Sequence, residues 1–455
     1  MSPSKIWRLG IVVVFIISIF LVNWESDRTN FGFIATLYTL AFICYLLIIR
    51  ERGAFKFKHL IAITGLAHLV SMFYEPNLSN DYYRFLWDGE MAWNGINVFD
   101  FKPNELVEKE FMKREYMQEI YTGMADLSKR NYSCYPPANQ LYFIISTSLT
   151  SSVAVNVFIM KLIIVLTEVA GAVYLRKLFI HFKVNPSRIW VLFLNPLLII
   201  ECTGNVHFEG VMLSLLVIAF YFLFVRNTIT AATIFGLAIQ IKLVPLLLLP
   251  FFFRFFGWKK AMLFCCVTGA VVIVLGLTQI NSSNALHFFE SLALYFRAFE
   301  FNSFIFYNYL AVGKLFVVYN PIRIIGPILS CGTMLAIVIY ALWKKPLNWQ
   351  QLFNRLLFGF FIFLMMGSTL HPWYVLPLLT LSLFTNYTFP ILWSFLIFFS
   401  YFFYSVGNGS SFDVRLMVSI EYVLLFGYVI YEIRKKGSPF KFLSISSYFQ
   451  PNSET

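Results

Sequence analysis

This chain has little charge and few cysteines. Asp, Glu, Lys and Arg make up 13% of its 455 residues, whereas soluble domains carry about 25%. The six cysteines show no metal-like spacing, and most of them lie in or beside apolar runs, so a disulfide framework is not expected. The shortage of charge argues against an ordinary soluble domain.

Long apolar runs take the place of the missing charge. Hydrophobic residues make up 59% of the chain, and its mean hydropathy is +0.72. Because a full crossing needs about 20 apolar residues, we expect an all-α polytopic membrane protein with about 12–14 transmembrane helices. The runs near 137–150 and 303–318 are shorter and are expected not to cross. The 228–254 region reads as one kinked span or as two short ones.

The net charge of +12 does not indicate a nucleic-acid partner, because Lys and Arg sit mostly in short loops, where they report topology. We expect the basic loops and the basic tail after the last span to be cytoplasmic. The loop 75–136, the turn 203–209, the segment 280–302 and the turn at His371 then fall on the outer face. Nearly all the unusual polar residues share that face, which predicts one extracytoplasmic site.

The loop 75–136 is the only long hydrophilic segment, and its second half is expected to form amphipathic helices on the membrane surface. The chain divides into four parts. They are two N-terminal transmembrane helices (1–58), a catalytic transmembrane core (59–385), C-terminal transmembrane helices (386–434) and a cytoplasmic tail (435–455).

Asp81 follows the third apolar run. A carboxylate at the bilayer edge can lose hydration and have its pKa tuned, as a general base requires; a cap on the following helix is the structural alternative. Arg84 lies on the same helical face and is expected to orient Asp81 or to hold a phosphate. Asp88, before Gly89, is a further candidate for substrate or phosphate binding, although it reads more simply as a turn or cap.

Further polar residues interrupt the apolar runs. Polar and ionisable groups at such depth are costly and usually functional, which singles out Glu201, Asn205, His207, Glu209 and Lys242. A metal site is less favoured, because His207 and Glu209 lie two residues apart and face different sides of a helix. Lys242 needs an anionic partner such as a lipid phosphate, unless it snorkels to the interface.

Three more segments add candidates. Tyr135 precedes two prolines that begin an apolar run, and it is a candidate for a sugar pocket. Arg297 is a candidate phosphate ligand on an outer amphipathic segment. His371 and Trp373 interrupt two apolar runs. They mark either a histidine satisfied at a helix break or a hydrogen-bond donor to phosphate with Trp373 against lipid or sugar.

The ordered series of motifs resembles the GT-C superfamily of polyprenol-phosphate-dependent glycosyltransferases, and within it bacterial multi-span mannosyltransferase-like proteins. The resemblance covers roughly residues 60–385 and rests on these stretches: Asp81–Gly89, Gly95–Asn97, Tyr135–Pro137, Asn195–Leu197, Gly204–Glu209, Lys242–Pro245 and His371–Tyr374. Relatives often carry Asp where this chain has Glu209.

The resemblance implies a specific activity. It implies inverting transfer of a hexose, with mannose favoured, from a polyprenyl-phosphate donor to a glycan or lipid-linked acceptor, with Asp81 as general base. It further implies an extracytoplasmic site, as the loop charges also predict, and a role in cell-envelope glycan synthesis. The composition fits a bacterial inner membrane better than a eukaryotic reticulum, which the glycosylation sequons leave open. No cofactor is expected, since the chain has no DxD-like pair, and divalent-metal dependence is left open. A transporter or lipid flippase, or a lipid-glycan polymerase or ligase, remains the alternative.

Overall fold

The computed structural model describes residues 3–24, 27–297, 299–313, 315–316, 321–406 and 412–437. These residues are almost wholly helical, and the β-structure among them is a single parallel bridge between Phe301 and Thr369. The prediction of an all-α polytopic membrane protein is confirmed.

The first three apolar runs form helices that pack together beneath the site. Their bounds are α1 (Pro3–Trp24), α2 (Phe31–Arg50) and α3 (Phe57–Met72). Asn30 caps the start of α2 by accepting a hydrogen bond from the backbone N–H of Phe33. Lys161, from a later helix, donates to the backbone carbonyls of Ser71 and Tyr74 and so satisfies the end of α3.

The hydrophilic loop folds into short helices that cover the end of the bundle: α4 (Asp81–Trp93), α5 (Glu115–Gly123) and α6 (Asp126–Lys129). Helix α5 is amphipathic, as expected, and buries Tyr116, Met117 and Ile120. Helix α4 packs closely on α7 (Pro137–Thr147), where Gly89 lies so near the backbone carbonyl of Phe143 that a side chain would collide with it.

The middle of the chain alternates long helices with broken ones. It comprises α8 (Val153–His181), α9 (Ile189–Phe193), α10 (Pro196–Leu198), α11 (Glu209–Phe224), α12 (Thr228–Ile241), α13 (Leu249–Phe256) and α14 (Trp258–Gly276). A π-helical turn, Ile199–Gly204, follows α10. The 228–254 region is two short helices: α12 ends at Ile241, and Pro245 lies in the 3₁₀ turn that precedes α13.

The last part of the described chain contains α15 (Ala285–Arg297), α16 (Phe304–Gly313), α17 (Ile322–Trp343), α18 (Trp349–Met366), α19 (Leu376–Ser382), α20 (Phe389–Leu396), α21 (Phe402–Ser405) and α22 (Phe412–Lys436). Pro372–Val375 and Ile397–Tyr401 are 3₁₀ turns that connect the shorter helices.

Six helices of the described chain are long and apolar enough to cross a membrane, or seven if the bent pair 186–193 and 196–204 is one span. The sequence suggested about 12–14, because apolar runs were counted without regard to where the helices break. Several runs form helices of 10–17 residues instead. The runs at 137–150 and 303–318 form α7 and α16, both short, as expected.

Candidate active site

Asp81 is the first residue of α4, and it lies partly buried where the hydrophilic loop meets the bundle. Its backbone N–H donates to Ser79 Oγ over 3.3 Å. Asn80, rather than Asp81, occupies the N-cap position of the helix. The Asp81 carboxylate is therefore not used as a helix cap.

Two cavities meet at Asp81. The first, of about 390 Å³, extends between the 3₁₀ turn that precedes α13 and the helices α17 and α18, and its surface is mostly apolar. The second, of about 280 Å³, lies under the hydrophilic loop and has more polar walls. The residues that line both cavities are Asp81, Cys134, Tyr135, His371 and Trp373. A group bound in either cavity would lie beside the same carboxylate.

The polar end of the first cavity carries an ion pair. Lys242 follows the last residue of α12 and pairs with Glu209, the first residue of α11. The Lys242 ammonium also lies 5.9 Å from the ring centre of Tyr374. The anionic partner that the sequence required for Lys242 is thus a carboxylate, and the cation stays at the mouth of the cavity.

The turn 203–209 ties the bundle to the segment that carries Asp81. The Oδ1 atom of Asn205 accepts a hydrogen bond from the backbone N–H of Leu78 over 3.2 Å. Its amide donates to Glu201 over 3.3 Å, and Tyr401 donates to the other oxygen of that carboxylate over 2.8 Å. Val206 has φ +61° in this turn, a conformation that L-residues rarely adopt.

Three rings stack beside the carboxylate. Trp373 lies between His207, with ring centres 3.5 Å apart, and His371, with ring centres 4.5 Å apart. The His371 turn is held by the bridge in which the backbone N–H of Leu370 donates to the carbonyl of Phe301 over 2.8 Å. His207 is buried and lines neither cavity, so its place is behind Trp373.

Arg84 and Asp88 form an ion pair with each other, and no hydrogen bond joins either side chain to Asp81 among the described contacts. Arg84 donates to Asp88 over 2.7 Å and to the backbone carbonyls of Ser128 and Asn131. Asp88 is fully buried within α4, not in a turn, and also accepts from Ser133 over 2.6 Å. This pair fixes the hydrophilic loop; Arg84 lines the second cavity, and Asp88 lines neither.

The remaining predicted residues differ in whether they line the two cavities. Tyr135 lines both cavities and packs edge-on against Phe85, with ring centres 5.0 Å apart. Asn205 and His207 support the site without lining it. Arg297 ends α15, and its side chain lies outside the part of the chain that the structure describes.

Sequence reasoning missed Arg28. This residue lines the second cavity and lies over the ring of Tyr404, 4.5 Å from its centre. A signal was present, because Arg28 is the one basic residue in the short connection between α1 and α2. Tyr401 and Tyr404, which also line this cavity, lie in an aromatic-rich run and gave no comparable signal.

The surroundings shift the protonation of two groups. Burial raises the pKa of Asp81 above its usual 3.8, and Lys242 opposes this shift while Glu209 adds to it. Burial lowers the pKa of His371 to about 3, with a further lowering from Lys242. The His371 imidazole is therefore neutral near pH 7 and has one N–H to donate.

No group of three or more His, Cys, Asp or Glu side chains is arranged to hold a metal ion within the residues described. Glu201 and His207 lie 3.6 Å apart. The other partners around them are the amide of Asn205, the hydroxyl of Tyr401 and the ring of Trp373. These contacts hold the turn 203–209 in place.

Comparison with known proteins identifies the chain. A family model described as alpha-(1->6)-mannopyranosyltransferase, N-terminal domain, matches residues 25–257, just over half of the chain. No curated protein and no solved structure matches this chain. The matched region contains the turn 203–209, the Lys242 segment and the whole hydrophilic loop. The chain therefore belongs to the MptA_B family of alpha-(1->6)-mannopyranosyltransferases, a mannosyltransferase family of the GT-C type.

Proposed function

We propose that this membrane protein transfers mannose from a polyprenyl-phosphate donor to a glycan or lipid-linked acceptor, with Asp81 as the general base. The observation that carries the proposal is the meeting of an apolar cavity and a more polar cavity at that one carboxylate. A single displacement needs the acceptor oxygen and the leaving phosphate on opposite faces of the anomeric carbon, with the base within hydrogen-bond reach of the acceptor hydroxyl.

The apolar cavity suits an isoprenoid chain. Its walls include Leu246 and Phe363, and Met334 contributes from α17, a helix long enough to span the membrane. At its polar end, Lys242 offers a positive charge and His371 an N–H. A polyprenyl phosphate bound with its tail among the apolar side chains would bring its phosphate to these two groups.

The second cavity suits the acceptor sugar. Its walls combine Arg28, Arg84 and several aromatic side chains, and sugar rings bind by hydrogen bonds to polar groups and by packing against aromatic faces. Tyr404 and Phe301 provide such faces close to His371. An acceptor hydroxyl in this cavity would approach Asp81 from the side opposite the donor.

The reaction then follows as a single displacement. The Asp81 carboxylate takes the proton of the acceptor hydroxyl while that oxygen forms a bond to the anomeric carbon of mannose. The bond between that carbon and the phosphate oxygen breaks, and the polyprenyl phosphate leaves with the negative charge. Lys242 and the N–H of His371 stabilise the charge that develops on this oxygen.

The linkage made by the family adds a stereochemical consequence. A single displacement inverts the anomeric centre. Since the family is named for an alpha-linked product, the donor would be a β-linked mannosyl phosphate. A double displacement would instead need a second carboxylate as nucleophile. Glu209 lines the same cavity as Asp81, and it is engaged with Lys242.

In this proposal residues 59–385 form the catalytic core, with transmembrane helices at 1–58 and 386–434 on either side. Arg28 and Tyr404 extend the acceptor cavity into those flanking parts. The site faces the extracytoplasmic side of a bacterial inner membrane, and the tail 435–455 is cytoplasmic. This orientation follows from the basic loops, which are expected to stay in the cytoplasm.

The test is transfer by purified protein in liposomes. We expect radiolabelled mannose to pass from a synthetic β-mannosyl polyprenyl phosphate to an α-mannoside acceptor, with a product sensitive to α-mannosidase. A nucleotide-linked mannose, offered as the matched control donor, should give no product. Transfer from the nucleotide donor alone, or a β-linked product, would contradict the proposal.

A further inference from the structure

A third cavity, of about 380 Å³, lies on another side of the molecule, between α3 and α8 with α9 as its floor. It shares no lining residue with the two cavities at Asp81. Four of the apolar side chains that line it are about half exposed: Ile61, Leu69, Val169 and Val173. Helix α8 is long and apolar enough to cross a membrane, and α3 is a shorter apolar helix beside it, so we expect this cavity to open towards lipid.

The cavity contains polar atoms without partners. Trp190 is 4% exposed, yet its indole N–H makes no hydrogen bond. The hydroxyl of Thr64 is also buried and unpartnered, although a helical Thr normally donates to the carbonyl four residues earlier. Buried donors are costly when they are unpaired, so the presence of two in one cavity indicates a ligand that carries acceptors.

One end of the cavity is basic. Arg176 lines it and lies over the ring of Phe57, 5.6 Å from the ring centre. Lys58 follows Phe57 at the start of α3, and Lys177 follows Arg176 near the end of α8; both side chains are exposed. The distribution of Lys and Arg predicts this end to be cytoplasmic. An anion at the membrane surface would be attracted here.

The other end reaches towards the middle of the bundle, and its lining includes the buried side chains of His68 and Glu168 among apolar ones. Glu168 lies about 12 Å from Arg176 along α8, as eight helical residues require. It lies 3.5 Å from His68, a residue that also hydrogen-bonds to Thr203 over 2.8 Å. Both oxygens of the Glu168 carboxylate are buried without a hydrogen-bond partner, so this end offers an anion none of the donors that Arg176 offers at the other end.

We propose that this cavity binds an anionic glycerophospholipid, whose phosphate lies at Arg176 and whose ester carbonyls accept hydrogen bonds from Trp190 and Thr64. The position of the donors decides between two kinds of lipid. A glycerophospholipid has ester oxygens just below its phosphate, whereas a polyprenyl phosphate has only hydrocarbon there. The occupant is thus different in chemistry from the donor of the proposed reaction.

Native mass spectrometry of the full-length protein tests this site, with delipidated protein titrated with dioleoylphosphatidylglycerol. Arg176→Gln should weaken binding by about tenfold or more, because a hydrogen bond to a charged group is lost. Lys177→Gln is the matched control: it removes the same charge from the next residue of α8, which does not line the cavity. Equal weakening by both variants would overturn the proposal, since it would show only diffuse attraction.

Two further variants test the donors. Trp190→Phe keeps an aromatic ring but removes the indole N–H, and Thr64→Val keeps the shape of the side chain but removes the hydroxyl. Each should weaken binding by roughly 2- to 10-fold. Trp258→Phe is the control for the first, because Trp258 is 60% exposed at the start of α14, away from the cavity. Unchanged affinity in both donor variants would overturn the site, as would displacement of the phospholipid by stoichiometric polyprenyl phosphate.

Discussion

At the residue scale, the site depends on charges whose places come from different helices. Asp81 begins α4, Glu209 begins α11 and Lys242 follows α12. The sequence singled out all three, because ionisable residues are rare among apolar runs. It did not pair Lys242 with Glu209, since 33 residues separate them and only the packing of α11 on α12 brings them together.

Replacing Lys242 tests the role proposed for it at the phosphate. Lys242→Gln should lower kcat/KM for the lipid donor by about 10- to 100-fold, because a charge-assisted hydrogen bond to the leaving phosphate is lost. The measurement is steady-state transfer in liposomes with the donor varied. Lys259→Gln, at an exposed position in α14, is the control. Equal kinetics in the two variants would contradict the role of Lys242.

The pKa of Asp81 predicts a pH dependence. As a base, Asp81 must be deprotonated, so kcat/KM should fall as the pH drops through a pKa that burial raises above 3.8. Lys242 lowers this pKa, so its replacement by Gln should move the acid limb to higher pH. Profiles of kcat/KM against pH for both proteins measure this. An acid limb that moves to lower pH would contradict the assignment.

At the element scale, turns rather than long helices position the site. The π-helical turn Ile199–Gly204 and the turn after it put Asn205 against the backbone of Leu78, three residues before Asp81. The sequence marked this turn by its polar residues and expected it near the outer face. Its contacts were not predictable, because they depend on a rare helix type and on the positive φ of Val206.

Asn205→Ala tests this tether. The variant leaves the backbone N–H of Leu78 unpaired, which should cost about 1–3 kcal/mol of stability. Since Asp81 lies three residues after Leu78, we expect loss of this hydrogen bond to displace the Asp81 carboxylate. The displacement should lower kcat by roughly 10- to 100-fold, with a smaller change in KM. Asn227→Ala, which removes the cap of α12 at its opposite end, should cost comparable stability and leave kcat unchanged. A loss of stability without a loss of kcat in Asn205→Ala would show a purely structural role.

Arg84 and Asp88 show that spacing in the sequence did not define the role of these two charges. Their charges stood beside Asp81 in an aromatic-rich segment, and spacing alone could not separate a catalytic group from a buried ion pair. In the structure, Arg84 donates a hydrogen bond to Asp88, and Ser133 in the hydrophilic loop donates another to Asp88. Removal of one member of such a pair is strongly destabilising, because the other charge stays buried.

At the scale of the whole molecule, the helical membrane class and the family were predictable from hydropathy and ordered motifs. The number of membrane-spanning helices was not, because Pro residues and π-helical or 3₁₀ turns divide the apolar runs. The two cavities were not predictable either. Their walls come from residues as distant in sequence as Arg28 and Tyr404, which only the assembled bundle brings together.

The central claim is that the carboxylate between the two cavities accepts the proton of the acceptor. The most direct measurement compares Asp81→Asn with Asp126→Asn, at an exposed position in α6, in mannose transfer and in binding of the lipid donor. We predict that Asp81→Asn lowers kcat by about 10²- to 10⁴-fold, with donor binding and folding retained, and that Asp126→Asn behaves as wild type. Undiminished transfer by folded Asp81→Asn protein would contradict the account.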